Sequence, residues 1–457
     1  MNLTLHEIAA AVQAKNDISA YPDVRLGQIE FDSRRIQAGD LFLPLKGRRD
    51  GHDFIPTAFE NGAIVTFSER PVDFPHLLVD NTEQAFQTLA HYYLQKTQVD
   101  VIAITGSNGK TTTKDMLAQI LATTYPTYQT QGNYNNEIGM PYTVLHMPEG
   151  TEKLVLEMGQ DRLGDIHLLS TLAQPKLAVI TLIGESHLAF FGTREKLAEG
   201  KMQIVDGLVK GGELIAPADK LINAYLPDNQ KITRFGPDAD IYLTALYEHR
   251  DTITFSVNFL DGDLTIPFPG KFNATNAMLA AYVGRLEGVN FQQIKAALAD
   301  LNLTKNRVEW LKAANGADIL SDVYNANPTA MRLMLETFQA IERHQGGQKI
   351  AVLADMKELG AQSAQRHAEL VSALDPHTID QLYLYGEEIA PLAQAARTRF
   401  APEAVHYFRK DRERDGFDAL LAALTVGIGP HDQVLLKGSN SMRLSELVTA
   451  LQGKADA

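Results

Sequence analysis

The residues best suited to chemistry lie between Val101 and Met116, "VIAITGSNGKTTTKDM", where an apolar strand runs into a Gly-Lys-Thr turn and then a helix. Gly106 and Gly109 let backbone N–H groups converge on phosphate oxygens, and the helix N-terminus adds the positive end of its dipole. Lys110 would reach the β- and γ-phosphates, and the Thr111 hydroxyl would ligate Mg²⁺. Thr105, Ser107, Asn108 and Thr112 complete the candidate cradle. Where the full P-loop pattern has its first Gly, this chain has Ile104. Such a cradle serves either hydrolysis, in a switch or motor, or transfer of the phosphoryl group to another molecule. No Asn-Lys-x-Asp motif, with which a nucleotide switch reads its base, occurs in the chain.

Further polar residues fall at strand ends of the same region. Glu157 closes the strand "KLVLE", where a carboxylate suits Mg²⁺ directly or through water. His187, in "GESHLAFFG", follows the strand "AVITLIG" at the mouth of the sheet, where α/β proteins bind ligands. Lys201 lies on the next helix. Singly, each has a plainer reading: a solvated cap, a lone histidine, a surface charge.

The elements that must position these residues follow from periodicity. From Val101, buried strands ("VIAIT", "KLVLEMG", "KLAVITLIG", "GGELIAP") alternate with helices, which predicts a parallel sheet covered on both faces. "DIYLTALYEHRDTITFSVNF" alternates and reads as an antiparallel hairpin, and "NATNAMLAAYVGRL" and "FQQIKAALADL" read as helices. Before this region, short strands are broken by turns, and "TEQAFQTLAHYYLQK" reads as a helix capped by Thr82. After about Ala313 the strand–helix rhythm restarts without a G-x-G-x-x-G fingerprint, so a dinucleotide is not expected there. The expected architecture is α/β with three domains: a small mixed α/β domain over 1–85, a central P-loop parallel-sheet domain over 86–313 and a Rossmann-like domain over 314–457.

Composition agrees with this size and class. The 457 residues suffice for about three domains at roughly 150 residues each. A net charge of −14 argues against nucleic acid or an anionic membrane as partner, since both demand a basic face. No apolar run approaches the ~18 residues of a membrane helix, and "MNLTLHEIAA" lacks the basic start of a signal peptide, so a cytoplasmic location is expected. The absence of cysteine removes disulfides, thiolate metal sites and thiol nucleophiles together.

"TGSNGKTT", "LEMG", "SHLAFFG", "GKFNATNA", "NRVE", "YNANP" and "LLKGSNSM" occur in an order and spacing that resembles the ATP-dependent Mur ligases, over essentially the whole chain. Within that family, "DSRRIQAGDLFLPLKGRRDGHDF", "GNYNNEIGMP", "DVYNANPTAM" and "ADMKELG" resemble the branch that adds D-alanyl-D-alanine to UDP-N-acetylmuramoyl-tripeptide. The Asp-Asn-Pro-Arg motif of the diaminopimelate-adding branch is missing. The resemblance implies an ADP-forming amide ligase of peptidoglycan synthesis, acting on small-molecule substrates as a monomer.

It also implies roles for individual residues. Lys110 would bind phosphate, Thr111 and Glu157 one Mg²⁺, and His187 with Lys201 a second, Lys201 as a carbamate that turns a cation into an oxygen-bearing anion. Asn273 and Asn276 match the adenine-contacting pair, with Phe272 where the family has His. Arg307, Asp322 and Tyr324 would close over ATP from the third domain. Asn325, Asn327, Lys437 and Ser439 are the candidates for the incoming dipeptide, with Asn440 replacing the family's Arg and Arg443 nearby. Ser33 and Arg34 match the uridine-diphosphate turn, and Asn133, Asn135 and Asn136 the segment that holds the muramoyl-peptide. Two alternatives stand beside this reading: another Mur-type amide ligase, and a P-loop ATPase or GTPase used as a switch.

Overall fold

A computed structural model describes residues 1–301, 307–411 and 414–454. Its sheets are built on the apolar runs that the sequence marks. The strand Asp100–Thr105 lies between Lys153–Glu157 and Leu177–Ile180 in a six-stranded, all-parallel sheet, which Thr127–Gln129 ends on one side and Glu213–Pro217 with Lys231–Phe235 on the other. Val101 to Thr105 are all buried, as expected of a strand covered on both faces. The chain leaves Asp100–Thr105 towards one side of the sheet and later returns to the other. That change of direction opens a crevice at the carboxyl ends of these strands, the usual ligand position in an open α/β sheet.

A three-stranded antiparallel sheet, Leu243–Glu248, Ile253–Val257 and Leu264–Ile266, extends the expected hairpin by one strand. Its buried Ile253, Phe255 and Leu264 share a core with the helices Lys110–Ala122 and Lys271–Leu286. The helix that presents the Gly-Lys-Thr turn is thereby anchored along its length.

Before the central sheet, four short parallel strands pair in order: Ile29–Glu30, Leu41–Phe42, Val65–Ser68 and His76–Leu78. The helix Thr82–Thr97 follows, but its cap is Asn81 rather than Thr82: the Asn81 side chain accepts the Gln84 N–H at 2.8 Å. Such a cap is worth about 1 kcal/mol. Thr82 is turned inward, where its hydroxyl donates to the Pro44 carbonyl at 2.7 Å. Leu3, Ile29, Phe86, Leu89, Leu154 and Ile166 belong to one continuous core, so the amino-terminal sheet is packed onto the central one.

The carboxy-terminal sheet has the order Glu309–Lys312, Asp318–Asp322, Gln433–Lys437, Lys349–Ala354, Gln381–Tyr385, Val405–Phe408. All pairs are parallel except the first, an antiparallel edge strand that the sequence pattern does not mark. The carboxyl ends of its central strands carry Asp322, Lys437 and the segment from Asp355 to Glu358.

Candidate functional site

The glycines of the cradle are fixed by contact. Gly106 has φ +151° and Gly109 has φ +83°. A Cβ on Gly109 would lie 2.5 Å from Asn276 Oδ1, so the helix Lys271–Leu286 presses directly on the turn. Gly109 is the N-cap of Lys110–Ala122 and supplies no side-chain acceptor, so that cap leaves the first N–H groups free to meet an anion. Lys110 Nζ folds back onto the Gly106 carbonyl at 2.8 Å. Burial lowers its pKa, opposed by Glu157 and reinforced by Arg307.

Thr111 and Glu157 form the floor. The Thr111 hydroxyl donates to Glu157 Oε2 at 2.7 Å, and Asn135 Nδ2 donates to Oε1 at 2.8 Å. Burial pulls the Glu157 carboxyl upward, but Lys110, Arg307 and these two hydrogen bonds outweigh it, and the pKa lies below the ordinary value. This oxygen pair fits Mg²⁺. Among the described residues no group of three or more His, Asp or Glu could hold a metal by itself. That suits an ion which completes its shell with phosphate oxygens and water.

Other residues expected to bind ATP act as framework. Thr105 Oγ1 donates to the Met158 carbonyl, Ser107 Oγ accepts the Gly184 N–H, and Asn273 Nδ2 donates to the Pro269 carbonyl. Ser107 also lines the cavity, as do Asn276 and Thr112, together with Phe272, Arg307, Asp322 and Lys437. The Arg307 guanidinium stacks on the Tyr324 ring at 4.4 Å, and its buried Nε has no hydrogen-bond partner among the described residues. Lys437 Nζ reaches Asp322 Oδ2 at 2.5 Å and the Asn325 carbonyl at 3.0 Å.

Three cavities, of about 510, 90 and 420 Å³, share walls in sequence. The narrow one holds the cradle. The first adjoins it at Asn108, Gly109, Phe272 and Asn276, and the third at Lys110, Thr111, Arg307 and Asn325. Asn133, Asn135, Asn136, Glu157 and His187 all border the third chamber. Lys201 is 2 % exposed, and its amine makes no hydrogen bond or ion pair among the described residues. Burial, and then the charge of Lys110, puts its pKa well below the ordinary lysine value.

Against known proteins, residues 25–124 match the description "Mur ligase family, catalytic domain", 104–284 "Mur ligase middle domain" and 306–440 "Mur ligase, glutamate ligase domain". The UDP-N-acetylmuramoyl-tripeptide–D-alanyl-D-alanine ligase of Bacillus subtilis (strain 168) is 38% identical over 98% of both chains. The chain belongs to the Mur ligase family. Among solved structures, MurF from Acinetobacter baumannii superimposes with a TM-score of 0.89 at 30% identity over 99% of each chain. The MurF ligase from Thermotoga maritima in complex with ADP gives 0.81 at 28% identity, over 93% of this chain and 97% of that one.

In this Mur ligase several further residues border the site than the sequence singles out. Glu358, in the left-handed region at φ +65°, places Oε2 2.8 Å from Nδ1 of His187, itself at φ +64°. His187 holds the Glu358 carboxyl below its ordinary range despite burial. Asp161 lies 3.4 Å from the same His187 nitrogen. "ADMKELG" signals the family branch but not this contact, which joins two separate sheets. Gln160, Arg194 and Arg332 likewise border the cavities with no motif to announce them.

The residues expected at the dipeptide are engaged within the Mur ligase. Asn327 caps the helix Pro328–Ala340, and its Nδ2 donates to Asn108 Oδ1 and Ser186 Oγ, both at 2.7 Å. Ser439 Oγ accepts the Lys357 N–H at 2.9 Å, and Asn325 Oδ1 accepts the Ala326 N–H. At the turn expected to take uridine diphosphate, Ser33 is buried, with its carbonyl bound by Asn61. Arg34 is exposed, and its fork grips Asp32 at 2.7 and 2.9 Å, holding that carboxyl down at about 2.

Proposed function

We propose that this Mur ligase joins D-alanyl-D-alanine to UDP-N-acetylmuramoyl-tripeptide, with ATP consumed to ADP and phosphate. The supporting observation is that Lys110 and Thr111 form the common wall of the phosphate neck and of the chamber bordered by Asn133, Asn135, Asn136 and His187. A γ-phosphate held in the neck would face a carboxylate entering from that chamber. The name of the Bacillus subtilis relative, carried across 98% of the chain, supplies the substrates.

In this reading a carboxylate oxygen of the tripeptide attacks the γ-phosphorus, the bond to the β-bridging oxygen breaks, and ADP leaves. Lys110 and the free N–H groups of the helix Lys110–Ala122 meet the charge that spreads over the phosphoryl oxygens. Arg307, stacked on Tyr324, approaches from the carboxy-terminal sheet. The neutral amine of the dipeptide then attacks the acyl carbon, loses a proton, and phosphate departs as the amide forms. Asn327 and His187 carry contacts that close the cleft and exclude water, which would otherwise hydrolyse the acyl phosphate. Bound Mg²⁺ would neutralise phosphate charge, with Thr111 and Glu157 fitted to one ion and His187 with Lys201 to a second.

Lys201 carries a carbamate in this reading. Its buried amine, destabilised as a cation beside Lys110, is the neutral nucleophile that CO₂ requires. The N–C bond forms as one C–O π pair moves onto oxygen, and the proton goes to solvent. The amino-terminal sheet would take the nucleotide end of the larger substrate through Ser33 and Arg34, and the central and carboxy-terminal sheets ATP and the dipeptide. One chain supplies every group named, which supports a monomer. Among the described residues no helix is long and apolar enough to cross a membrane. That, with nucleotide substrates, supports a cytoplasmic enzyme. The test is phosphate release from ATP with the two acceptors added singly and together. Release that needs both supports ligation, and equal release with neither overturns it.

A further inference from the structure

The turn between the strands Leu243–Glu248 and Ile253–Val257 is closed by the His249 N–H, which donates to the Thr252 carbonyl at 2.8 Å. It carries Arg250 out of the antiparallel sheet and onto the carboxy-terminal one. There Nη2 donates to Asp318 Oδ2, and the guanidinium lies over the Trp310 ring, 5.4 Å from its centroid. The Asp318 side chain is 4 % exposed, and its strand ends at Asp322, which lines the phosphate neck. Lys312, directly across the ladder, puts Nζ 2.5 Å from Asp318 Oδ1, and His344 Nε2 lies 3.4 Å from Oδ2. Both come from the carboxy-terminal region itself, so the carboxylate keeps two partners without Arg250. What Arg250 adds is a hold across the joint.

This hold sits at the far end of an element the cleft already uses. The helix Pro328–Ala340 begins beside the cradle, where Asn327 bonds Asn108 and Thr329 bonds Glu185. At its other end, Thr337, Ala340 and Ile341 face Glu248, Arg250 and Pro269 across a cavity of about 220 Å³. Its 13 residues rise about 20 Å. The carboxy-terminal sheet is therefore held at two separated points, and two points fix a rotation that one would leave free.

Arginine suits the task, because its planar fork can pair with a carboxylate and lie on an aromatic face at once, which an ammonium cannot do. The grip is also releasable. Trp310 Nε1 and Arg250 Nε are buried and make no hydrogen bond among the described residues, the latter being 3.5 Å from Asp251 Oδ1. Water would satisfy both on opening, so the contact favours the closed orientation without locking it. We propose that Arg250 is a positioning residue that clamps the carboxy-terminal sheet where Arg307, Asp322 and Lys437 face the cradle, with Asp318 and Trp310 as its seat. The antiparallel sheet is then the docking platform for closure. The clamp requires only that the cleft take ATP, and it stands apart from the identity of the acceptors proposed above.

Trp310 is the only tryptophan in the chain, so its emission reports on the seat itself. The whole enzyme is titrated with ATP and Mg²⁺, without acceptors, in unaltered form and as Arg250→Lys, Arg250→Ala and Arg250→Glu. Any substitution beside the ring changes the starting emission. The ATP concentration at half-change moves only if closing is coupled to binding, because apparent affinity falls in proportion to the closed population. In the unaltered enzyme we expect the emission to move to the blue as closure shuts the indole off from water. Half-change should need about tenfold more ATP in the Ala variant, the effect of losing a hydrogen bond to a charged group. The Lys variant, which keeps the charge, should need less, and the Glu variant, which meets Asp318 with like charge, more. Thermal midpoints should stay close, because Asp318 retains Lys312 and His344, and the Glu variant carries the test if the Ala variant fails to fold. Half-change at the same ATP concentration in all forms overturns the clamp, as does an unaltered enzyme whose emission ignores ATP.

Discussion

Lys110 sits where two demands meet. Burial disfavours its charge, while Glu157 and an incoming triphosphate favour it, so the ammonium is most stable when the cleft is loaded. Its present bond to the Gly106 carbonyl can be exchanged for phosphate oxygens without moving the helix. Replacing Lys110 by Ala is expected to lower kcat by about a hundred- to a thousandfold, the usual cost of one preorganised electrostatic partner, with the thermal midpoint held. Steady-state kinetics and a melting curve on the same sample check it. Residues of this kind were legible in the sequence because Gly, Lys and Thr follow one another at fixed offsets between a strand and a helix. Glu358 and Gln160 were not. Their neighbours, His187 and Gly200, are distant in sequence, and the positive φ that aims Glu358 appears only once two sheets are assembled.

At the scale of elements, the helix Pro328–Ala340 couples stability to the site through its cap. Asn327 Oδ1 accepts the Ala330 N–H at 2.9 Å, while its Nδ2 reaches across to Asn108 of the cradle. The two ends of one amide thus do separable work. Asn327→Ala is expected to lose about 1 kcal/mol of cap and to raise the KM for ATP. Asn327→Asp keeps the cap oxygen but loses the donor, so its thermal midpoint should stay near that of the unaltered protein while the KM still rises. An Asp variant with unchanged KM would show that the bridge to Asn108 is idle. Sequence periodicity marked this helix and the strands around it well, because each buried run has the period of its element. It marked poorly what depends on a partner element: the edge strand Glu309–Lys312, defined by pairing with Asp318–Asp322, and the cap at Asn81, since Thr82 is an equally good capping type.

At the scale of the molecule, the cleft is closed by contacts between the central and carboxy-terminal sheets. The Ala189 N–H donates to the Glu358 carbonyl at 2.8 Å, His187 faces Glu358, and Thr329 donates to Glu185. These contacts are polar, as at interfaces across which domains move. We expect the ligand-free enzyme to be more extended than the ATP-bound one by a rigid rotation near Arg307, seen as a larger radius of gyration in small-angle scattering. Identical profiles would count against a hinge.

The claim that joins all three scales is that the cradle activates a carboxylate instead of wasting ATP on water. It is tested most directly by labelling both oxygens of the tripeptide carboxylate with ¹⁸O and weighing the products of one turnover with ATP and D-alanyl-D-alanine. Transfer through an acyl phosphate places one ¹⁸O in inorganic phosphate and leaves the other in the new amide. Unlabelled phosphate, with the carboxylate keeping both labels, would contradict it.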